Sequence, residues 1–237
     1  MNGPQIYWQS DFALPVIGKI VINETMVNAW IVMAFILFLC IFLTSRMEKV
    51  PKGKQALAEK AILMIDGLVK QNMGEECCKT YSPFIATLLM SSACGSLITL
   101  FGRRAVTADL NTTLGWALIV FFLITYSKIR YGGFLGYLKS FLSPIFIMAP
   151  LNVLSEIATP VSMSFRHFGN MAGGLVITTL LLQALSALSG MLHLPIPLFQ
   201  IGLPGVLSLY FDLFTACMQA FIFSMLTMAY VGSAREG

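Results

Sequence analysis

Between Ser140 and Ala234 lie ninety-five residues of which only Glu156, Arg166 and Asp212 are charged. A soluble domain carries about 25% charged residues, so this stretch cannot be the surface of a water-soluble globule and reads as helix in lipid. The whole chain of 237 residues agrees, with 57% apolar and 11% charged residues and a mean hydropathy of +0.80. Its net charge of +4 is mild and scattered, which excludes nucleic acid as a partner.

A hydrocarbon layer of ~30 Å takes about twenty apolar helical residues. Met26–Ser45 meets that length without a charge and gives the first span. Arg46–Lys79 holds seven of the fifteen basic residues, which places it in the cytoplasm and residues 1–25 outside as a short tail. Within it Leu57, Ala61, Met64, Ile65, Leu68 and Val69 recur at helical spacing among Glu59, Lys60, Asp66 and Lys70, the pattern of a helix lying in the interface. Tyr81–Phe101 is a second span, and its Ser91, Ser92, Ala93, Gly95 and Ser96 permit close helix packing. Asp109–Tyr126 returns inward and ends at the basic residues Lys128, Arg130 and Lys139. Pro150–Gly190 would be ~60 Å long as one helix, so it must tilt strongly, break, or begin along the interface. After a loop with Pro195, Pro197 and Pro204, Val206–Ala234 returns to a cytoplasmic C-terminus. Eleven basic residues fall inside against three outside. The expectation is one all-α membrane domain over 1–237: five spans and an interfacial helix, with residues 150–234 as a long tilted final hairpin.

The three isolated charges are the candidate chemistry. An arginine in mid-span costs ~2.5 to 3.5 kcal/mol even on the lenient insertion scale and cannot shed its proton, so Arg166 is a permanent cation. Its presence points to an ion path or to a counter-charge on a partner; the alternative is a structural ion pair with Glu156 or Asp212. A carboxyl such as Asp212 can take up and release a proton. Ser208, Asp212, Thr215 and Gln219 fall at i, i+4, i+7 and i+11, a polar stripe that either lines water or meets another polar helix. Ser162, Arg166 and Asn170 share a face at i, i+4 and i+8, and Gly169 with Gly173 forms a small-residue step that lets another helix approach.

The run Pro160-Val-Ser-Met-Ser-Phe-Arg166-His-Phe-Gly-Asn170-Met-Ala-Gly resembles the P-[VI]-S-L-x-[LF]-R-x-F-G-N-x-x-[AG]-G stretch of subunit a of rotary F-type ATP synthases. Ala108-Asp-Leu-Asn-Thr-Thr-Leu114 resembles that family's A-D-[LV]-N-x-T-L segment. Gln219-Ala-Phe-Ile-Phe-Ser-Met-Leu-Thr-Met-Ala-Tyr230 resembles its Q-A-F-[IV]-F-x-x-L-x-x-x-Y ending.

The resemblance implies a stator subunit in a bacterial plasma membrane, beside a rotor ring of c subunits that each bear a carboxylate. Peripheral-stalk b subunits and the remaining synthase subunits would be its other partners. Arg166 would be the essential arginine facing the ring, with Gln219 hydrogen-bonded to it across the hairpin and Asn170 one turn on. Asp212, Asp109 and Asn111 would serve the outer access path and Glu156 the inner one, with Ser162, Ser208 and Thr215 as further polar lining. Two departures stand out. Many family members carry Glu or His where this chain has Leu175, and His167 replaces the common Leu after the arginine, either titrating or packing. If Arg166 and Gln219 meet, the first arm of the hairpin should lose its helix near Ser186, or the arms should tilt unequally.

No cofactor or metal is expected. The five cysteines read as unpaired thiols, and His193 has no assigned role. The chain lacks G-x-x-x-x-G-K-[ST], so ATP chemistry would belong to partner subunits. An intramembrane protease is excluded by the missing G-x-G-D and G-x-S-G contexts. A secondary ion-coupled transporter is the alternative function, although no inverted repeat is visible. The transported ion is H+ or Na+.

Overall fold

The computed structural model describes residues 5–14, 18–45, 47–142, 145–191 and 210–236. Among them, five segments are long and apolar enough to cross a membrane: Glu24–Thr44, Glu75–Phe101, Leu110–Leu142, Phe146–Met191 and Asp212–Arg235. Their helices are α1 (Glu24–Thr44), α3 (Cys78–Leu97), α4 (Leu110–Leu142), α5 (Ala149–Met191) and α6 (Thr215–Glu236), and α2 (Lys54–Met73) is the sixth, non-spanning helix. The all-α membrane architecture expected from the sequence is therefore the one observed.

Three features depart from the expected outline. The N-terminal tail contains an antiparallel hairpin of β1 (Ile6–Leu14) and β2 (Gly18–Asn23), whose run Ile20-Val21-Ile22 favours extended backbone. Its last residue, Asn23, caps α1 by accepting the Met26 N–H at 2.9 Å. The basic residues after Tyr126 are not a loop. The α4 helix runs through Lys128 and Arg130 and changes direction at Gly133, whose φ of 72° suits glycine. Lastly, α5 stays helical through Ser186 to Met191, about 64 Å of rise, so a break near Ser186 does not occur. The Pro-rich turn, His193 and Ser208 lie outside the described residues.

The core sits between α3, α4 and α6. Ile85 and Leu88 of α3, Val120 and Ile124 of α4, and Phe223, Met228 and Val231 of α6 are all buried in one cluster. From α2 only Val69 and Met73 are buried in it, while Leu57, Ile62, Leu63 and Met64 stay exposed, as an interfacial helix leaves them. Met163 is the buried residue that α5 adds to this cluster.

Hydroxyls hold the helices in register. Tyr81 pairs with Ser127 at 3.1 Å, Ser96 with Thr107 at 2.8 Å and Thr113 with Ser164 at 3.2 Å. Each such bond in a membrane bundle contributes about 0.6 kcal/mol. Two glycines mark close approaches: a Cβ at Gly95 would lie 3.5 Å from the Val106 side chain, and one at Gly232 would lie 2.9 Å from the Asn72 carbonyl. At the same end of the bundle, Arg235 donates to the Met73 carbonyl and to Cys77 and lies 4.8 Å from the Tyr131 ring centre, tying α6 to α2 and α4.

Candidate functional site

The buried side of α5 is narrow. Pro160, Met163, Ser164, His167 and Met171 face the bundle, leaving Ser162, Phe165, Arg166, Gly169 and Asn170 exposed. Arg166 thus projects from the chain in mid-helix, flanked one turn away on each side by Ser162 and Asn170. Among the described residues it enters no ion pair: Glu156 pairs with Lys128 at 2.7 Å, and the other two bridges join Lys70 to Glu75 and Arg235 to Glu76. The structural pairing of Arg166 with Glu156 or Asp212 is accordingly not what forms. Gly169 and Gly173 have no atom of another element within 4 Å of a notional Cβ, so no helix among the described residues uses the step they make.

His167 shows why the arginine points outward. Its ring is fully buried, 3.2 Å through Nε2 from Ser92 Oγ and packed between the rings of Trp116 and Phe223 at centroid distances of 6.0 and 5.4 Å. Of the two readings left open for it, packing is the one observed. With His167 locked inward, its neighbour Arg166 lies about 100° further round the helix.

Gln219, 1% exposed on α6, does not meet Arg166. Its Oε1 accepts from Asn170 Nδ2 at 2.5 Å, one turn beyond the arginine. The condition attached to a broken or unequally tilted hairpin, contact between Arg166 and Gln219, is therefore not met, and α5 is continuous to Met191. Gln219 Nε2 is buried without a hydrogen-bond partner. Such an unsatisfied donor costs ~1 to 3 kcal/mol.

Two cavities open on either side of Arg166 along α5. The larger, about 450 Å³, is lined by Asn170, Gly174 and Thr178 of α5, by Asp212 and Thr215, and by Glu24, Arg103 and Arg104. Asp212 sits in a π-helical turn, Tyr210–Phe214, that shifts the phase of the polar stripe, yet Asp212 and Thr215 still line the same space. The smaller cavity, about 160 Å³, lies at the other end and is lined by Glu156 and Thr159 of α5, Lys128 of α4, and Tyr230 and Ser233 of α6. Thr159 and Asn170 are eleven residues apart, about 16 Å of helix, with Arg166 between them.

Asp109 and Asn111 line neither cavity. The Asp109 carboxylate accepts the Asn111 N–H at 3.0 Å and its carbonyl accepts from Thr113, so it caps the start of α4. Residues that the sequence did not point to are also here. Lys128 read only as an orientation signal, and its partner Glu156 is twenty-eight positions away. Asn28, fully buried on α1, donates to the Arg104 carbonyl at 2.9 Å and accepts from Arg103 Nη1 at 3.1 Å, fixing the mouth of the larger cavity. A polar residue inside the otherwise apolar first span was the available signal. Among the described residues no three His, Cys, Asp or Glu side chains gather as metal ligands, and all five cysteines are free thiols.

Residues 26–232 match the ATP synthase A chain family. The chain is 33% identical to a sodium-ion-specific ATP synthase subunit a of Propionigenium modestum over 226 residues, covering 89% of this chain and 73% of that one. It is 34% identical to ATP synthase subunit a 2 of Bradyrhizobium sp. strain BTAi1 over 219 residues, covering 92% and 91%. It is 31% identical to ATP synthase subunit a of Moorella thermoacetica over 222 residues, covering 93% and 94%. With five spanning helices and a match that begins in α1 and ends in α6, the chain belongs to the ATP synthase A chain family and is a multi-pass membrane subunit of an ATP synthase.

Proposed function

We propose that this chain is the stator ion channel of a rotary ATP synthase, with the two cavities as half-channels and Arg166 as the fixed cation between them. The observation that carries this reading is the exposed Arg166, without an ion pair among the described residues, standing on α5 between one cavity lined by Asn170, Asp212 and Thr215 and another lined by Glu156, Thr159 and Lys128. A rotor c subunit passing the open face of α5 would bring its carboxylate against the guanidinium. The fixed positive charge favours the ionised carboxylate there and opposes a cation crossing directly from one cavity to the other. Elsewhere on the ring, in lipid, the carboxylate is stable only when neutralised by a bound ion. Each carboxylate must therefore release its ion into one half-channel and reload from the other, which couples H+ or Na+ flow to rotation.

In this scheme Asp212, with Thr215, relays the ion in the outer half-channel and Glu156, held by Lys128, sets the charge of the inner one. Asn170 and Gln219 keep α5 and α6 at fixed register beside the arginine, and Ser162 adds a polar contact on the rotor side. Ser208 would extend the outer path. Asp109 and Asn111 shape its approach by capping α4. The N-terminus lies outside and the C-terminus in the cytoplasm of a bacterial plasma membrane, with peripheral-stalk b subunits holding the chain against the turning ring. Arg166→Ala is expected to abolish ATP synthesis and ATP-driven ion pumping in membranes where the complex still assembles. Normal pumping by that variant would overturn the assignment.

A further inference from the structure

A third cavity, about 200 Å³, lies between the start of α3 and the later half of α4, away from both half-channels. Its polar lining is Thr80, Tyr126, Arg130 and Tyr131, together with Tyr81, whose hydroxyl is engaged by Ser127, and Phe84 and Leu123 form its apolar wall. No carboxylate lines it, and among the described residues Arg130 makes no ion pair; its guanidinium is exposed and donates only to Tyr126 Oη, at 2.9 Å. The neighbouring acids are engaged elsewhere, Glu156 by Lys128 and Glu76 by Arg235. The exposed surface beside the cavity is apolar, with Phe122 at 66% and Ile119 at 55% exposed about two and three turns down α4 from Arg130.

We infer that this cavity is a binding site for the phosphate of an anionic phospholipid. The chemistry is that of a headgroup site at the end of a helix pair. An unpaired arginine supplies a planar set of donors suited to a phosphate oxygen pair. Tyr126, Tyr131 and Thr80 add hydroxyls at the level where tyrosine is favoured in membrane proteins. The apolar wall of Phe84 and Leu123 continues onto the lipid-facing side of α4, where an acyl chain lies while its phosphate stays at Arg130. Basic pockets between spanning helices on the cytoplasmic side take anionic headgroups in this way. The cavity has room for about six waters' share of volume, which a phosphodiester fills without moving either helix.

A phosphodiester of a lipid and free inorganic phosphate share this chemistry, and the test separates them. The intact synthase complex, purified in a neutral detergent, is titrated with phosphatidylglycerol, phosphatidylcholine or inorganic phosphate, and lipid retained on this subunit is counted by native mass spectrometry. The expected result is one retained phosphatidylglycerol on the wild-type subunit, about fivefold weaker retention in Arg130→Gln, retention between those two in Arg130→Lys, which keeps the charge without the planar donors, and no retention of phosphatidylcholine. Displacement of the lipid by millimolar inorganic phosphate would assign the site to a free anion and overturn the lipid assignment. Equal retention by wild type and Arg130→Gln would overturn the site itself. If Arg130→Gln fails to assemble, Tyr131→Phe with Thr80→Val removes two hydroxyls from the cavity while keeping the charge, and unchanged retention there overturns the proposed contacts.

Discussion

Helices α5 and α6 come from the same poorly charged half of the chain, yet 6% of the apolar window of α5 is buried within the chain against 44% for α6. Their hydropathies, 1.8 and 1.5, scarcely differ. The difference lies in what each surface offers a neighbour. Buried Ala216, Ala220, Phe223, Ser224, Thr227, Met228 and Val231 give α6 a face of small and shape-matched residues that α3 and α4 enclose. On α5 the buried stripe is one residue wide, and the opposite side presents Phe165, Arg166 and two uncontacted glycines. One helix is enclosed by its neighbours, and the other packs along one side, chiefly against α4, and leaves its opposite side uncovered among the described residues.

That contrast can be broken most directly by truncating a matched pair of phenylalanines. Phe223→Ala, at the centre of the core, should cost about 3 to 5 kcal/mol, while Phe165→Ala, 54% exposed on α5, should leave stability within about 0.5 kcal/mol. Thermal unfolding of the full chain in detergent measures both, and equal losses would dissolve the distinction. A matched glycine pair sharpens it. Gly232→Val drives a Cβ against the Asn72 carbonyl and should cost about 1 to 3 kcal/mol, whereas Gly169→Val meets nothing in the chain. The second variant should fold normally and lose ATP-driven pumping, since the proposed function puts the rotor against this face; retained pumping would move the proposed rotor contact elsewhere.

Smaller effects follow where the two helices cooperate. Asp212→Asn removes from the larger cavity the carboxyl proposed as the outer relay and should slow ion flow about tenfold, or ~1.4 kcal/mol of barrier, with assembly intact. Unchanged flow, measured by decay of an imposed ion gradient, would remove Asp212 from the path. Ser92→Ala deletes the bond that holds the buried His167 and should lower stability by about 0.6 kcal/mol. A loss of several kcal/mol would mean that the histidine, rather than shape, sets the rotation of α5.

The spans were legible because hydropathy reports the solvent of a segment, and lipid is an unambiguous one. The interfacial α2 was legible from its period. What could not be read was which faces the helices share, since that depends on tilt and depth. Gln219 falls opposite Asn170 instead of Arg166 for this reason, and Lys128 finds Glu156 across a gap no local pattern spans. The stop of α4 was misplaced because a charge cluster ends a span in the membrane without ending the helix. The N-terminal hairpin left a β-branched trace, Ile20-Val21-Ile22, too short to stand out beside five apolar helices. Of the candidate site, Asp212, Thr215 and Asn170 line one cavity and Glu156 the other, Arg166 is exposed on α5, and Asp109 with Asn111 forms the cap of α4.

The open side of α5 also bears on how such a subunit survives before it has partners. A guanidinium without a counter-charge in the bilayer carries ~2.5 to 3.5 kcal/mol of unfavourable energy, and among the described residues Arg166 has no ion pair to relieve it. Newly inserted protein is therefore in its worst state when alone, and any neighbour presenting a carboxylate removes the penalty at the moment of docking. On the proposed function one charge serves twice: it blocks a leak in the finished machine, and it leaves orphan copies energetically marked until a partner docks.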